Sequence, residues 1–377
     1  MENEKGNAWF TVAVVAAILL LLSAADLSGK ERLFSETENR LLAQRPRLTQ
    51  SSVWSGAYMK ELESFLTDQF VGRDKWIRIK TLTDLSLGRR ELNGVYLGKN
   101  GYLLERHLPE EYPQEKLEKQ LMRLSRFVGQ YDAMVMLVPT ADNILNGYLP
   151  ANAPYFDQRA FLEQVRQTVG AEHYIDVFSA LEAHAQEEIY YRTDHHWTSL
   201  GAVYGYRAWA EKLGVLRYPY NTNVIETVSD SFEGTLQSKI NLPRTPDKIN
   251  RFRETTLRSV RLTYDRQRHS DSFYEPSYLE TKNQYGYFLD DNHAIIEIET
   301  GRVGRGSLIV FKDSYANCFI PLLAPHYTKI YVIDLRYYKG GLNRLMAECA
   351  GNGEEEKPDV LILYNCIHFL DNFVYTE

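Results

Sequence analysis

SLIVFKDSYANCFIPLLAPHYTKIYVIDL (307–335) holds two short, almost continuous apolar runs, SLIVF (307–311) and KIYVI (329–333), separated by a stretch that predicts a helix near 316–324. A strand with one wet face alternates polar and apolar residues, whereas a strand buried on both faces reads as an unbroken run. The same pattern lies on either side. DVLILY (359–364) follows a helical stretch at 342–350. AMVMLV (133–138) follows a helix that sets Leu117, Leu121, Leu124 and Val128 on one face. A further helical stretch, 157–169, leads into Tyr174–Val177, read as a short strand. Buried runs with helices as crossovers predict an α/β fold built on a parallel sheet with flanking helices. Residues 214–300 break the pattern, being polar and rich in Tyr and Arg, and read as an insertion of short strands and loops.

Toward the N-terminus the character changes. NGVYLGKNGYLLE (93–105) has Asn-Gly pairs beside short apolar runs and predicts a β-hairpin or a pair of short strands. Residues 55–90 predict helices, with Met59, Leu62, Phe65 and Leu66 and then Trp76, Ile79 and Leu82 as apolar stripes. Residues 26–53 read as a polar stalk. WFTVAVVAAILLLLSAA (9–25) carries no charge and is close to the length that crosses a bilayer. Ser23-Ala24-Ala25 also offers a cleavage site, so anchor and cleaved signal are both open. The short leader, residues 1–8, with only Lys5 as a basic residue, favours the uncleaved anchor. Either way the rest of the chain is expected outside the cytoplasmic membrane, single-pass if anchored and secreted if cleaved.

Of the 377 residues, 44% are apolar and 25% charged, which excludes a disordered chain. The net charge of −7 with no basic patch argues against nucleic acid as a partner. Three cysteines, Cys318, Cys349 and Cys366, make no disulfide framework and lack zinc spacing. They read as small buried apolar residues.

Reactive side chains concentrate in two places. In YYRTDHHWTSLGA (190–202), Asp194, His195, His196 and Trp197 precede a helix whose cap is Thr198 or Ser199. In LIVFKDSYANC (308–318), Ser314 follows a buried strand at its carboxyl end, where ligand sites of open α/β sheets lie. A serine hydroxyl becomes a nucleophile when a histidine, oriented by a carboxylate, takes its proton. Asp194 and His196 can supply that pair from one loop. The plainer readings are a helix cap for Ser314 or Asp313, a turn former for Asp194, and packed or surface imidazoles for the histidines. Asp194, His195 and His196 also carry ligand-type atoms, but without HExxH or a cysteine pair a metal is the weaker reading, and none is expected.

The DHHW stretch carries a wider likeness. The chain resembles the DHHW family of exported bacterial proteins and, more distantly, the SGNH-hydrolase-like proteins that O-acetylate alginate. The matching blocks are SETENRLLAQRP (35–46), DQFVGRDKW (68–76), 93–105, 190–202, EGTLQSKI (233–240), KDSYANCFIPLLAPHY (312–327) and IDLRYY (333–338). The resemblance implies an SGNH-hydrolase-like (flavodoxin-like) fold, circularly permuted so that the Asp-x-His loop precedes the serine strand, over residues 93–377. It implies a triad of Ser314 as nucleophile, His196 as base and Asp194 as orienting carboxylate. The alginate-type Asp-x-His-Trp motif selects His196 over His195. Asn365, after DVLILY, matches the position of an oxyanion-hole asparagine. Arg336, after KIYVI, is expected at the rim of an anionic or sugar substrate, with His195 and Trp197 beside it; the plainer readings are a turn former for Asn365 and a surface ion pair for Arg336. Lys312 departs from the pattern by replacing the usual Gly before Asp-Ser, and is expected to alter the approach to Ser314.

The function expected is an extracytoplasmic serine O-acyltransferase acting on a polysaccharide, without a cofactor. A membrane-bound partner protein would hand over the acyl group. A carbohydrate esterase with the same triad and a non-catalytic glycan-binding envelope protein are the alternatives.

Overall fold

The four apolar runs pair in parallel and form one side of a seven-stranded sheet. In the computed structural model, which describes residues 2–35, 40–215, 225–253, 259–302, 306–350 and 357–375, its strands are β1 (Met134–Val138), β2 (Arg261–Tyr264), β3 (Arg268–Ser270), β4 (Ile295–Glu299), β5 (Ser307–Lys312), β6 (Lys329–Ile333) and β7 (Asp359–Asn365). Their order across the sheet is β3-β2-β4-β6-β5-β7-β1. From β6 to β1 the neighbours run parallel, while β4, β2 and β3 continue the sheet in antiparallel steps. β5 lies between β6 and β7, with Val310 opposite Val332 of β6 and Leu361 of β7. All three side chains are buried, and burying one stabilises by about 1.5–3 kcal/mol.

Helices α1 (Gln114–Tyr131), α2 (Gln158–Val169), α3 (Ser199–Lys212), α4 (Leu342–Ala350) and α5 (Cys366–Asn372) lie between or after the strands. The α1 stripe packs as its spacing requires, with Leu117, Leu121, Leu124 and Val128 buried. Phe127 of α1 stands edge-on to Phe311 of β5, ring centroids 5.1 Å apart. The Asp157 side chain caps α2 by accepting from the Ala160 N–H.

Two sequence expectations need correction. Tyr174 makes only an isolated parallel bridge to Val135, and Val177 opens a helix that the Asp176 side chain caps. An aspartate side chain that accepts from backbone N–H groups two or three residues on starts a helix in place of a strand. Residues 214–300, apart from 216–224 and 254–258, which lie outside the described residues, are not wholly an insertion. Among the described residues Ile225–Phe232 pairs only with Asp247–Phe252, but β2, β3 and β4 extend the central sheet. Those strands are short, and β2 alternates in burial as a partly wetted antiparallel strand does.

The chain divides into two units, one of residues 90–237 and 243–377, which holds this sheet, and one of residues 1–89 and 238–242. The first begins with the expected hairpin, whose strands are Glu91–Leu92, Val95–Leu97 and Leu103–Glu105. Asn93 and Gly94 both take left-handed backbone, φ 50° and 79°, as a two-residue hairpin turn demands. The second contains the helix Glu2–Ser28, in which Trp9–Asp26 is long and apolar enough to cross a membrane, and the helices Gln50–Trp54, Ala57–Gln69 and Arg73–Ser86. Of the apolar stripes expected there, Phe65 is buried, while Met59, Leu66, Trp76, Ile79 and Leu82 are exposed.

Candidate active site

Asp194 and His196 lie in a narrow loop whose two limbs hold each other. Tyr190 bridges Trp197, the Tyr191 N–H donates to the His196 carbonyl, and the Thr198 N–H donates to Ile189. Three further bonds fix its place. The Tyr190 hydroxyl donates to the Pro139 carbonyl just beyond β1, 2.7 Å. The Trp197 indole N–H donates to the Tyr315 carbonyl, 2.8 Å. The Tyr315 hydroxyl donates to the His195 carbonyl. Thr198 then caps α3, its side chain accepting from the Gly201 N–H. The loop is thereby fastened to the segment that follows β5.

On that segment Asp313 caps the turn Ser314–Ala316, its Oδ1 accepting from the Tyr315 N–H at 2.9 Å. Ser314 therefore opens a turn directly beyond the carboxyl end of β5. Its hydroxyl lies 2.8 Å from His196 Nε2, and His196 Nδ1 lies 2.5 Å from Asp194 Oδ1. All three residues are buried, at 7%, 5% and 1% exposure. A carboxylate, an imidazole and a hydroxyl in hydrogen-bonded series form a route along which the serine proton can pass to the ring.

Asp194 is held ionised. Burial pushes its carboxyl up, but His195, His196 and a bond from the Thr235 N–H together bring it well below the ordinary carboxylate range. Its Oδ2 accepts from the Thr235 backbone at 2.8 Å and from the Thr235 hydroxyl at 3.0 Å. That hydroxyl also lies 2.8 Å from His195 Nδ1. His195 is pushed down to about 3, first by burial and then by His196, against the pull of Asp194. His195 stays neutral in the fold until far below its unfolded value near 6.5, so the unfolded chain takes up its proton first as pH falls. Stability is therefore lost from about pH 6.5 downward, and Asp194 adds to the loss through the carboxylate range. Thermal unfolding at pH 7 and pH 4.5 is expected to show a marked drop, smaller in His195→Asn; an unchanged drop in that variant would discard His195 as its source.

His196 packs between rings. Tyr285 stacks on it at 3.8 Å and 11°, with the Tyr285 hydroxyl 3.3 Å from the Ser314 carbonyl oxygen, and His195 lies 3.9 Å away. Gly234, Thr235 and Tyr285 are the contributors that sequence reasoning missed. The block EGTLQSKI (233–240) was visible as a pattern, but nothing in its spacing tied it to Asp194.

The remaining sequence candidates are placed as follows. Trp197 is fully buried and stacked on Phe319, with no surface to meet a substrate, so its expected place beside the substrate is corrected to a pin between the two loops. Asn365 caps α5, its Oδ1 accepting from the Ile367 and His368 N–H groups, while its own N–H donates to Asp313 Oδ2. Arg336 grips Asp334 in a fork at 2.9 and 2.6 Å. Lys312 does not reach toward Ser314. Its fully buried ammonium donates to Asn292 and Asn317 at 2.8 Å each and lies 3.6 Å from Asp334. Burial lowers its basicity while Asp334 supports its charge. Lys312→Ala, leaving Asn317 without its ammonium donor and Asn292 and Asp334 with Arg336 alone, is expected to cost about 3 kcal/mol in denaturant unfolding; an unchanged midpoint would show that the cluster does not need the Lys312 charge.

Asp194, His195 and His196 could gather round a metal ion, their ligand-type atoms lying within 4.8 Å of one another. Both His196 nitrogens are already taken by Asp194 and Ser314, and His195 Nδ1 by Thr235, so the set fits a hydrogen-bonded relay better than a coordination sphere. Cys318, Cys349 and Cys366 are free and buried.

The DHHW protein family model matches residues 129–333, more than half of the chain, and the match takes in both Asp194-x-His196 and Ser314. The chain belongs to the DHHW family. This DHHW chain is similar in structure to a DHHW family protein from Eubacterium siraeum, 24% identical, with a TM-score of 0.61 over 76% of this chain and 98% of that one. It is also similar to Bacillus cereus PatB1 solved with a sulfonyl adduct, 19% identical, with a TM-score of 0.58 over 73% and 95%. Comparison with curated protein sequences finds no match. At these identities the likeness is one of mixed α/β fold.

Proposed function

We propose that this DHHW protein is an extracytoplasmic serine O-acyltransferase that acylates a polysaccharide through an acyl-Ser314 intermediate. The observation that carries the proposal is the buried series Asp194–His196–Ser314 at the carboxyl end of β5. In the first step His196 Nε2 takes the Ser314 proton as Oγ attacks the carbonyl carbon of the acyl donor. Asp194 balances the imidazolium that forms. The Ser314 N–H, which opens a turn and has no partner within it, is the first donor to the developing oxyanion, and the side-chain Nδ2 of Asn365, the last residue of β7, is the second. The donor's leaving group departs with the proton from His196, and the acyl group stays on Oγ as an ester. An acceptor hydroxyl then gives its proton to His196, attacks that ester and leaves as the acylated sugar, and Ser314 regains its hydrogen.

The fold reading is an SGNH-type domain in permuted order, supported by the Asp-x-His loop preceding the serine strand. Support for the location comes from the apolar helix that includes Trp9–Asp26. Read as a single-pass anchor, it holds the domain outside the membrane, where a membrane-bound partner supplies acyl groups. Arg336, half spent on Asp334, and His195 stand at the substrate rim. The test is covalent capture. A sulfonyl fluoride should add one sulfonyl group to the wild-type protein by intact mass and none to Ser314→Ala, and incubation with an activated acetyl ester should leave one acetyl group on the same residue. With an oligosaccharide present, acetylated sugar marks a transferase, while free acetate alone marks an esterase. Absence of both adducts from folded protein would overturn the proposal.

A further inference from the structure

Exposed apolar side chains are distributed very unevenly in this protein. Among the described residues 23 large apolar side chains are exposed, and 20 of them lie in residues 1–89. Nine belong to the apolar helix itself, but eleven follow it, against three in the rest of the described residues. A soluble surface scatters such residues singly, and a concentration marks a surface that something covers.

The helix Arg73–Ser86 shows it most sharply, because its burial is inverted. Thr81 and Asp84 face inward, at 1% and 8% exposure, while Trp76, Ile79 and Leu82 are about half exposed at 50%, 52% and 49%. Lys75 and Arg78, both exposed, are interleaved with those apolar residues. This helix also starts at a fixed place. Asp26, the last residue of the apolar stretch, accepts from the Val71 N–H at 2.6 Å, and the Arg32 guanidinium donates to Asp74 at 2.9 Å. Gln69 holds both backbone groups of Arg32, each at 2.8 Å. The first turn of the helix is therefore tied to the point where the apolar stretch ends.

We infer that residues 50–87 form a platform that lies on the outer surface of the membrane, with Trp76, Ile79 and Leu82 dipped into an interface of anionic headgroups. The inference rests on the anchor reading above. An amphipathic helix with Trp and aliphatic residues on one face and Lys or Arg at its margins lies in the plane of such an interface. The positive charge comes from the flanks: residues 50–87 carry five Lys and Arg and five Asp and Glu, while residues 30–49 and 88–90 carry seven against three, in a chain whose net charge is −7. A positive segment beside the membrane and an acidic remainder orient the molecule on an anionic surface.

The test places the full-length protein in phosphatidylcholine vesicles, with and without phosphatidylglycerol, whose acyl chains are brominated close to the headgroup. The fluorescence of Trp76 is read as the difference between wild type and Trp76→Phe, and that of Trp9 as the difference from Trp9→Phe. Bromine contact is expected to roughly halve the Trp76 emission, and more in the anionic vesicles. The anionic increment should vanish when Lys75→Gln and Arg78→Gln are combined. Quenched Trp9 with unquenched Trp76 would overturn the platform while leaving the anchor standing, and would point to a protein partner or a second copy on this face. Unquenched Trp9 and Trp76 would overturn both readings.

Discussion

Ser314→Ala and His196→Ala are each expected to lower hydrolysis of p-nitrophenyl acetate by about ten-thousand-fold, while His195→Ala stays within about tenfold of wild type. The contrast follows from position. Ser314 Oγ and His196 Nε2 are 2.8 Å apart, and without either atom no base meets the nucleophile. His195 Nδ1 meets the Thr235 hydroxyl at 2.8 Å and lies 3.7 Å from Asp194 Oδ1, and its ring packs against that of His196, so its loss loosens neighbours and removes no step. Combining Ser314→Ala with His196→Ala should cost little more than either alone, since each already removes the same step. Retained turnover in Ser314→Ala, measured by initial rates on protein shown to be folded, would end the acyl-serine reading.

Gly234→Ala is expected to be nearly as damaging, although residue 234 carries no reactive group. A Cβ built there would lie 2.2 Å from the Asp194 Cβ and 2.6 Å from its Cα, distances at which backbone has to move. Either Asp194 withdraws from His196 or the 233–235 segment lifts away, taking the two Thr235 bonds with it. A displacement of about 1 Å at a reacting centre costs on the order of a hundredfold in rate, and overpacking a buried contact adds about 1–3 kcal/mol of destabilisation. Thr235→Val separates the causes. It keeps the shape and the backbone N–H but removes the hydroxyl between Asp194 and His195, for an expected loss of roughly tenfold in turnover. If Gly234→Ala and Thr235→Val fall by the same factor, the hydroxyl accounts for the whole effect and crowding for none.

Much of this could be read along the chain. The runs at 133–138, 307–311, 329–333 and 359–364 declared strands buried on both faces, because a strand covered on both sides has no reason to alternate. Their position told where Ser314 stands, at a strand's carboxyl end, and the two-residue spacing of Asp194 and His196 allowed one loop to hold both. The Asn-Gly pair at 93–94 announced its turn through the backbone it tolerates.

Other decisions were made only in three dimensions. Sequence could not say that residues 214–300, polar and poor in apolar runs, would add β2, β3 and β4 to the sheet and bring Thr235 and Tyr285 to Asp194 and His196. Nor could it turn Lys312 inward to Asn292 and Asn317, seal Trp197 away from any substrate, or leave Trp76, Ile79 and Leu82 outside while Thr81 and Asp84 went in. The physical division is one of range. Strand and helix type follow from solvent contact repeated every two or three to four residues, which each segment records in its own pattern. Which hydroxyl meets which carboxylate, and which apolar face stays open, depends on chain segments forty to more than a hundred residues apart, and no local pattern holds that information.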